Sequence, residues 1–214
     1  MIPVQVLAVR YLANASQSLC KALGVPKGYP SLGLITTDCD DATYIALDAA
    51  TKAADVQVCY SRSFYAGAAN ASTPNAGEVI GILAGTTPGT VRSGMEAALS
   101  ALETVGFEEA GNVPYLAYTV SRTGSFLAKE AGVQEGSAIA YLIAPPLESM
   151  YAMDSALKAA DVKLCKLYSP PSETNFGGGL LSGSQSACNA ACVAFAQAVA
   201  EVAERPKGDA YGIG

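Results

Sequence analysis

Histidine and tryptophan do not occur anywhere in this chain of 214 residues. Without histidine there is no imidazole to move protons near neutral pH and none to hold zinc. Catalytic triads built on an imidazole are therefore excluded. Charge is also scarce, at 15% of residues, and the net charge is −6. Such a chain lacks the basic footprint that nucleic acid requires, although cationic ligands stay open to it. No apolar run approaches about 20 residues, so no membrane span is expected. The opening stretch, Met1 to Leu7, shows no basic region followed by an apolar one. The six cysteines, at positions 20, 39, 59, 165, 188 and 192, form no CxxC pair. They read as reduced thiols of a cytosolic protein, mostly core filler. Neither GxxxxGK[ST] nor GxGxxG occurs, so the glycines from Gly81 to Gly89 and from Gly132 to Gly136 mark no phosphate loop.

What is present is apolar surface and a repeat. Half the residues are hydrophobic. A chain with so few charges has to hide that surface, and a subunit interface is one place to hide it. The stretch Ala46 to Cys59 reads ALDAATKAADVQVC, and Ala152 to Cys165 reads AMDSALKAADVKLC; nine of the fourteen positions are identical. Leu19, Lys21, Gly24 and Val25 recur as Leu127, Lys129, Gly132 and Val133. Leu83, Gly85 and Thr86 resemble Leu181, Gly183 and Ser184. The spacing drifts between these blocks, as it does when loops take short insertions. Two homologous domains thus share one chain, at residues 1–110 and 111–205, with a Gly-bearing tail at 206–214 that reads as unstructured. Three such chains can close a ring of six similar units.

Each half reads strand, helix, strand, helix, strand, strand, helix. In the first half the expected strands are Val4 to Val9, Leu32 to Thr36, Val56 to Tyr60 and Glu78 to Ala84. The expected helices are Ser16 to Leu23, Asp41 to Ala54, and a last one starting at Pro88 with Thr87 as its cap. The second half ends in a long helix from Ser184 to Ala203. The fold class is α+β: two tandem two-layer units with ferredoxin-like, antiparallel-rich sheets and flanking helices. On the repeated helix, Asp48 with Lys52 and Asp154 with Lys158 are i,i+4 acid-to-base pairs on what reads as a solvated face.

Asp38, Asp40 and Asp41 crowd at a strand-to-helix junction. Acids there serve equally as helix caps or, with Glu78, as a carboxylate cluster around a small cation. An EF-hand is excluded, since DCDDATY has no glycine at the sixth loop position. Ser61 to Ala76 is a long loop of small and polar residues, a length that is usually functional or disordered; Tyr168 to Gly179 occupies the matching place in the second half. Cys188, Cys192, Phe195, Val199 and Val202 form one apolar helical stripe, which makes the two cysteines core thiols and leaves no metal site.

The motif D-x-A-x-K-A-A-D-V, found twice, resembles the helix and strand of bacterial microcompartment shell domains. Its duplication points to the tandem, circularly permuted class. The stretches SLGLI, DDATYIA, SFYAGAA, AGEV, SRTGS, APPLE, PPSETN and GSQSAC are similar, in order, to the L-type shell proteins of ethanolamine-utilisation compartments, and together they span nearly the whole chain. This resemblance implies a non-enzymatic homotrimer that tiles a cytoplasmic compartment shell beside other shell proteins. It implies an ethanolamine site at Asp40, Asp41 and Glu78, joined by Phe107 and Gly178. It implies a gated central pore bordered by Arg62, Phe64, Tyr65, Ala66, Gly67, Asn70, Glu173 and Asn175, and tile edges carrying Lys52 and Lys158. The enclosed lyase of such compartments uses cobalamin, so cobalamin or another large cofactor is a second implied cargo, although no motif here binds a corrin. Gly177 to Gly179 departs from the family, replacing less flexible residues. A soluble amine sensor on a duplicated ferredoxin-like domain is the competing reading. An enzyme built on the carboxylates finds no partner groups.

Overall fold

The computed structural model describes residues 1–64, 77–170, 172 and 174–208. The first copy runs β1 (Val6–Leu12), α1 (Gln17–Ala22), β2 (Ser31–Thr37), α2 (Asp40–Ala53), β3 (Val56–Ser63), β4 (Val79–Gly85) and α3 (Pro88–Leu102). A short strand, β5 (Glu108–Ala110), follows. The second copy runs β6 (Val113–Val120), α4 (Ser125–Ala131), β7 (Ala138–Ala144), α5 (Pro146–Ala159), β8 (Val162–Tyr168), β9 (Gly177–Gly183) and α6 (Gln185–Glu204). The element order expected from the sequence is the order observed. β1 starts two residues later than expected, at Val6, and β5 was not foreseen because three residues carry too little pattern.

The two sheets repeat one topology. The first has the order β1-β2-β4-β3 and the second β6-β7-β9-β8, with β5 added beside β6. All neighbours are antiparallel. Even the irregularity is duplicated: β3 bulges between Val58 and Tyr60, and β8 between Leu164 and Lys166, so each bulge falls on the shared cysteine, Cys59 or Cys165. A bulge shifts which side chains face the layer of helices, and a duplicated bulge keeps both sheets to the same plan.

Local chemistry accounts for the elements around the site. The β2 sequence SLGLITT is buried along most of its length, as a central strand should be. A Cβ on Gly33 would come within 2.8 Å of Val91 Cγ1, so glycine there lets α3 lie close to the sheet. Thr87 Oγ1 accepts from the Thr90 amide at 3.1 Å and Pro88 follows it, which is the start the sequence predicts. Val91, Met95, Ala98 and Leu102 form the buried stripe of α3; each large apolar side chain so covered contributes roughly 1.5–3 kcal/mol. In the second copy α6 buries Cys188, Ala191, Cys192, Phe195 and Val199 against its sheet and α5. By length and composition α6 is apolar enough to cross a membrane, which corrects the expectation of no such segment; its buried stripe is that of a core helix.

The chain forms two compact units that differ from the two sequence copies. One comprises Pro3–Gly106 with Thr123–Lys129; the other comprises Met1–Ile2, Phe107–Arg122 and the chain from Glu130 onward. The segment Thr123–Lys129 belongs by sequence to the second copy but lies in the unit of the first. Asp48 explains its attachment. Its carboxylate accepts from the Gly124 amide and from the Leu127 amide, each at 2.8 Å, and Thr51 Oγ1 accepts from Ser125. Asp48 is fully buried and Lys52 approaches it at 3.2 Å. The solvated face expected for α2 is therefore wrong at Asp48, which caps α4. The expectation holds for Asp154 and Lys158, whose pair is mostly exposed.

Candidate functional site

The acidic junction is built where β2 ends, α2 begins and β4 begins. Two threonine hydroxyls fix the turn. Thr37 Oγ1 and Thr43 Oγ1 lie 2.7 Å apart, and both donate toward the Cys39 carbonyl, at 2.9 and 2.7 Å. The Cys39 amide in turn donates to Thr37 Oγ1 at 3.1 Å. Cys39 occupies the cap position of α2 and makes no side-chain cap bond. Its thiol is pushed far up by burial first, and then by the charges of Asp41, Asp40 and Asp38, so it is no nucleophile.

Asp40 and Asp41 form the first turn of α2 and are each only 7% exposed. Asp40 Oδ1 accepts from the Asp41 amide at 2.9 Å, and Ser63 donates to its carboxylate. Ser63 also shares a hydrogen bond with the Tyr44 hydroxyl. Glu78 is tied to the same strands through its backbone: its amide donates to the Thr37 carbonyl at 2.9 Å, and its carbonyl accepts from Phe64 at 3.0 Å. A Cβ on the preceding Gly77 would lie 2.1 Å from the Thr37 carbonyl oxygen, so only glycine admits this approach. Asp38 is exposed and accepts from the Gln5 amide at 2.8 Å.

These acids are electrostatically uncomfortable. Asp40 is held above the usual carboxylate range by burial, partly offset by Ser63 and the Asp41 amide. Glu78 is raised by burial first, then by the charges of Asp40 and Asp38. Among the described residues no ion pair reaches Asp40 or Glu78. A small cation entering here would relieve the repulsion and replace lost water with charge-assisted hydrogen bonds. Helix capping does not exhaust the arrangement, because Glu78 lies outside the helix.

Phe107 and Gly178 belong to the second compact unit. Phe107 packs edge-on against Phe176, with ring centroids 5.5 Å apart. Gly178 lies inside β9 with φ +147°, and a Cβ there would sit 1.9 Å from the Leu142 carbonyl oxygen. Gly177 and Gly179 are similarly crowded, by Ser149 Oγ and the Lys166 carbonyl. The run is thus glycine for lack of room, which corrects the reading of it as added flexibility. Arg62 is exposed near the end of β3, with Phe64, 37% exposed, just beyond it. Asn175 adopts a positive φ of 64°. Tyr65, Ala66, Gly67, Asn70 and Glu173 lie outside the described residues. Sequence reasoning missed Ser63, Thr37, Thr43 and Tyr44. The hydroxyls of Thr43 and Tyr44 sit in the motif DDATYIA, but Ser63 meets Asp40 only through sheet topology.

The model of the BMC domain family matches residues 31–113. The bacterial microcompartment shell protein EutL of Clostridium perfringens is 58% identical over 97% of this chain and 98% of its own length. A crystal structure of EutL from the same organism superposes with a TM-score of 0.94, covering 99% of this chain and 98% of that one. That of the ethanolamine utilization protein EutL from Leptotrichia buccalis gives 0.92 at 57% identity, covering 96% of each chain.

Proposed function

Because the chain belongs to the EutL family of bacterial microcompartment shell proteins, we propose that it works as a trimeric tile with a gated central pore and that its acidic junction binds ethanolamine. At the coarser level the function is settled by kinship: the chain is a structural component of the microcompartment shell, in the cytoplasm, in ethanolamine utilisation, and is not an enzyme. The finer reading rests on one observation. Asp40 and Asp41 are buried beside Glu78, and burial raises Asp40 and Glu78. Protonated ethanolamine offers an ammonium to the carboxylates and a hydroxyl to groups such as Ser63. Each charge-assisted hydrogen bond is worth roughly 1.5–3 kcal/mol before the ammonium pays its desolvation, so affinity falls in the micromolar-to-millimolar range. A ligand held that weakly can leave as readily as it enters, which suits a passage.

Two supports carry the tile and gate. The chain is internally duplicated, so three chains supply six similar units for a closed ring. Glu78 lies two positions along the sequence from Ala76, the end of the Ser61 to Ala76 segment that the resemblance assigns to the gate, which supports a link between occupancy of the junction and the gate. Calorimetry tests the binding: Asp41→Asn with Glu78→Gln weakens ethanolamine at least tenfold. Unchanged affinity returns the acids to helix capping. Lys52→Ala with Lys158→Ala, which sets no second carboxylate beside the buried Asp48, abolishes flat arrays in electron micrographs; arrays of ordinary appearance would remove both lysines from the tile edge.

A further inference from the structure

We infer that Tyr44 is a positioning residue of the acidic junction: acting through Ser63, its hydroxyl keeps the Asp40 carboxylate ionised and aimed, and so sets how far into acid the junction can still hold a cation. The inference rests on the reading of the junction as a cation site and adds the device that keeps the site charged.

A serine hydroxyl has one proton to give and two lone pairs to accept with. Ser63 gives its proton to Asp40, since an ionised carboxylate has none to return. In the bond between the Tyr44 hydroxyl and Ser63 Oγ the donor must then be Tyr44. The order is therefore Tyr44 O–H to Ser63 Oγ, and Ser63 O–H to Asp40. Each bond in such a chain polarises the next, so a serine that accepts also donates more strongly. Hydrogen bonds to the charged form of an acid favour that form.

The backbone builds this chain of bonds from two sides. Asp40 and Tyr44 are i,i+4 neighbours on α2 and share a face. Ser63 is the last residue of β3 and pairs with Val79 of β4. The same pairing brings in Glu78, whose carbonyl accepts from the Phe64 amide at 3.0 Å. The Tyr44 ring lies against Phe126, with centroids 6.0 Å apart. Phe126 stands between Gly124 and Leu127, whose amides Asp48 holds at 2.8 Å. Packing thus sets the phenol in place before any ligand arrives.

Asp40 needs this support. It is 7% exposed, so burial opposes its charge. The charges that meet at the junction are acids: Asp41 on the same helix, Asp38 on the turn before it and Glu78 at the entry to β4. The Cys39 thiol is pushed far up by burial and stays neutral. From β3 comes Ser63, next to the exposed Arg62, and among the described residues no cation pairs with Asp40. Of the contacts that favour the ionised form the Ser63 hydroxyl counts most, ahead of the amides of Asp41 and Asp40 and the Asp41 carboxyl.

The second copy supplies a control. Pro146 stands in the place of Asp40 and Met150 in that of Tyr44, while Ser169 remains in that of Ser63. Acid and phenol are absent together, and the serine alone is kept. A tyrosine that only tied β3 to α2 would be as useful on α5 beside β8; one that served the carboxylate would not.

The test compares Tyr44→Phe with the unmodified full-length protein. Phenylalanine keeps a ring against Phe126 and removes only the hydroxyl. Carbon-13 NMR of the aspartate carboxyls is expected to show Asp40 titrating at higher pH in Tyr44→Phe, and at higher pH still in Ser63→Ala. In calorimetry, Tyr44→Phe weakens ethanolamine at least about fivefold on the acid side of the Asp40 midpoint and by less than about twofold well above it, where the junction is ionised in both proteins. An unmoved Asp40 midpoint, or a loss of equal size at every pH, makes Tyr44 a structural tie only and overturns the inference while the cation site stands. If the unmodified protein binds no ethanolamine at millimolar concentration, site and inference fall together.

Discussion

The two β-to-α2-type junctions of this chain share a backbone plan and almost no chemistry. In the first copy the junction reads Asp38, Cys39, Asp40, Asp41, with Glu78 entering from β4. In the second the matching run is Ala144, Pro145, Pro146, Leu147, and the place of Glu78 is taken by Phe176, packed on Phe107. Both helices span fourteen residues, and both are anchored by a hydroxyl one turn in, Thr43 or Ser149. Duplication therefore preserved the scaffold while one copy kept buried acids and the other an apolar plug. A proline start suffices for a helix that only has to begin. Two buried aspartates are a costly way to do the same, and the cost makes sense when a cation is to be bound.

The largest effect expected from this contrast is at β9. Gly178 and Ile80 hold the same register position in the two sheets. Gly178→Ala forces a Cβ against the Leu142 carbonyl at positive φ and should cost more than about 4 kcal/mol, or prevent folding. Ile80→Ala, at a half-buried site, should cost only about 1–2 kcal/mol in denaturant titration. Next comes Asp48→Ala, which strands two buried amides and should cost about 3 kcal/mol or more at any protein concentration. Asp154→Ala, which removes only a mostly exposed pair with Lys158, should change stability by no more than about 0.5 kcal/mol. Equal costs at the two positions would erase the distinction drawn between α2 and α5.

The smallest effect is one of pH. Asp40 and Glu78 are raised in the folded chain, so between the ordinary carboxylate pKa and their raised values the folded state holds more protons than the unfolded one. Stability contributed by these two groups then falls as pH rises through that window. Glu78→Gln should flatten this part of a Tm-versus-pH curve. Ethanolamine binding runs the other way, since it needs the ionised acids and should weaken as pH drops through the same window. A curve unchanged by Glu78→Gln would mean that the folded protein does not perturb this group.

Much of this was readable from residue order. The repeat ALDAATKAADVQVC/AMDSALKAADVKLC located α2, α5 and both following strands, and Thr87-Pro88 located the start of α3. The acids at 38–41 stood out by crowding. What could not be read was long-range: that Asp48, outwardly the same i,i+4 partner as Asp154, reaches 76 residues along the chain to cap Gly124, or that Ser63 meets Asp40. Identical local patterns predict identical helices and say nothing of what covers them. Glycine at 177–179 misled for a related reason, because sequence cannot separate a glycine that bends from one that makes room.

We propose that this duplicated fold carries a single acidic binding site, in its first copy. The direct measurement is an amide-resolved NMR titration of the full-length protein with ethanolamine near neutral pH. Shifts confined to residues 38–44, Ser63 and Glu78, and absent from 144–150 and Phe176, are the predicted result. Shifts of similar size at both junctions, or none at the acidic one at millimolar ligand, would contradict it.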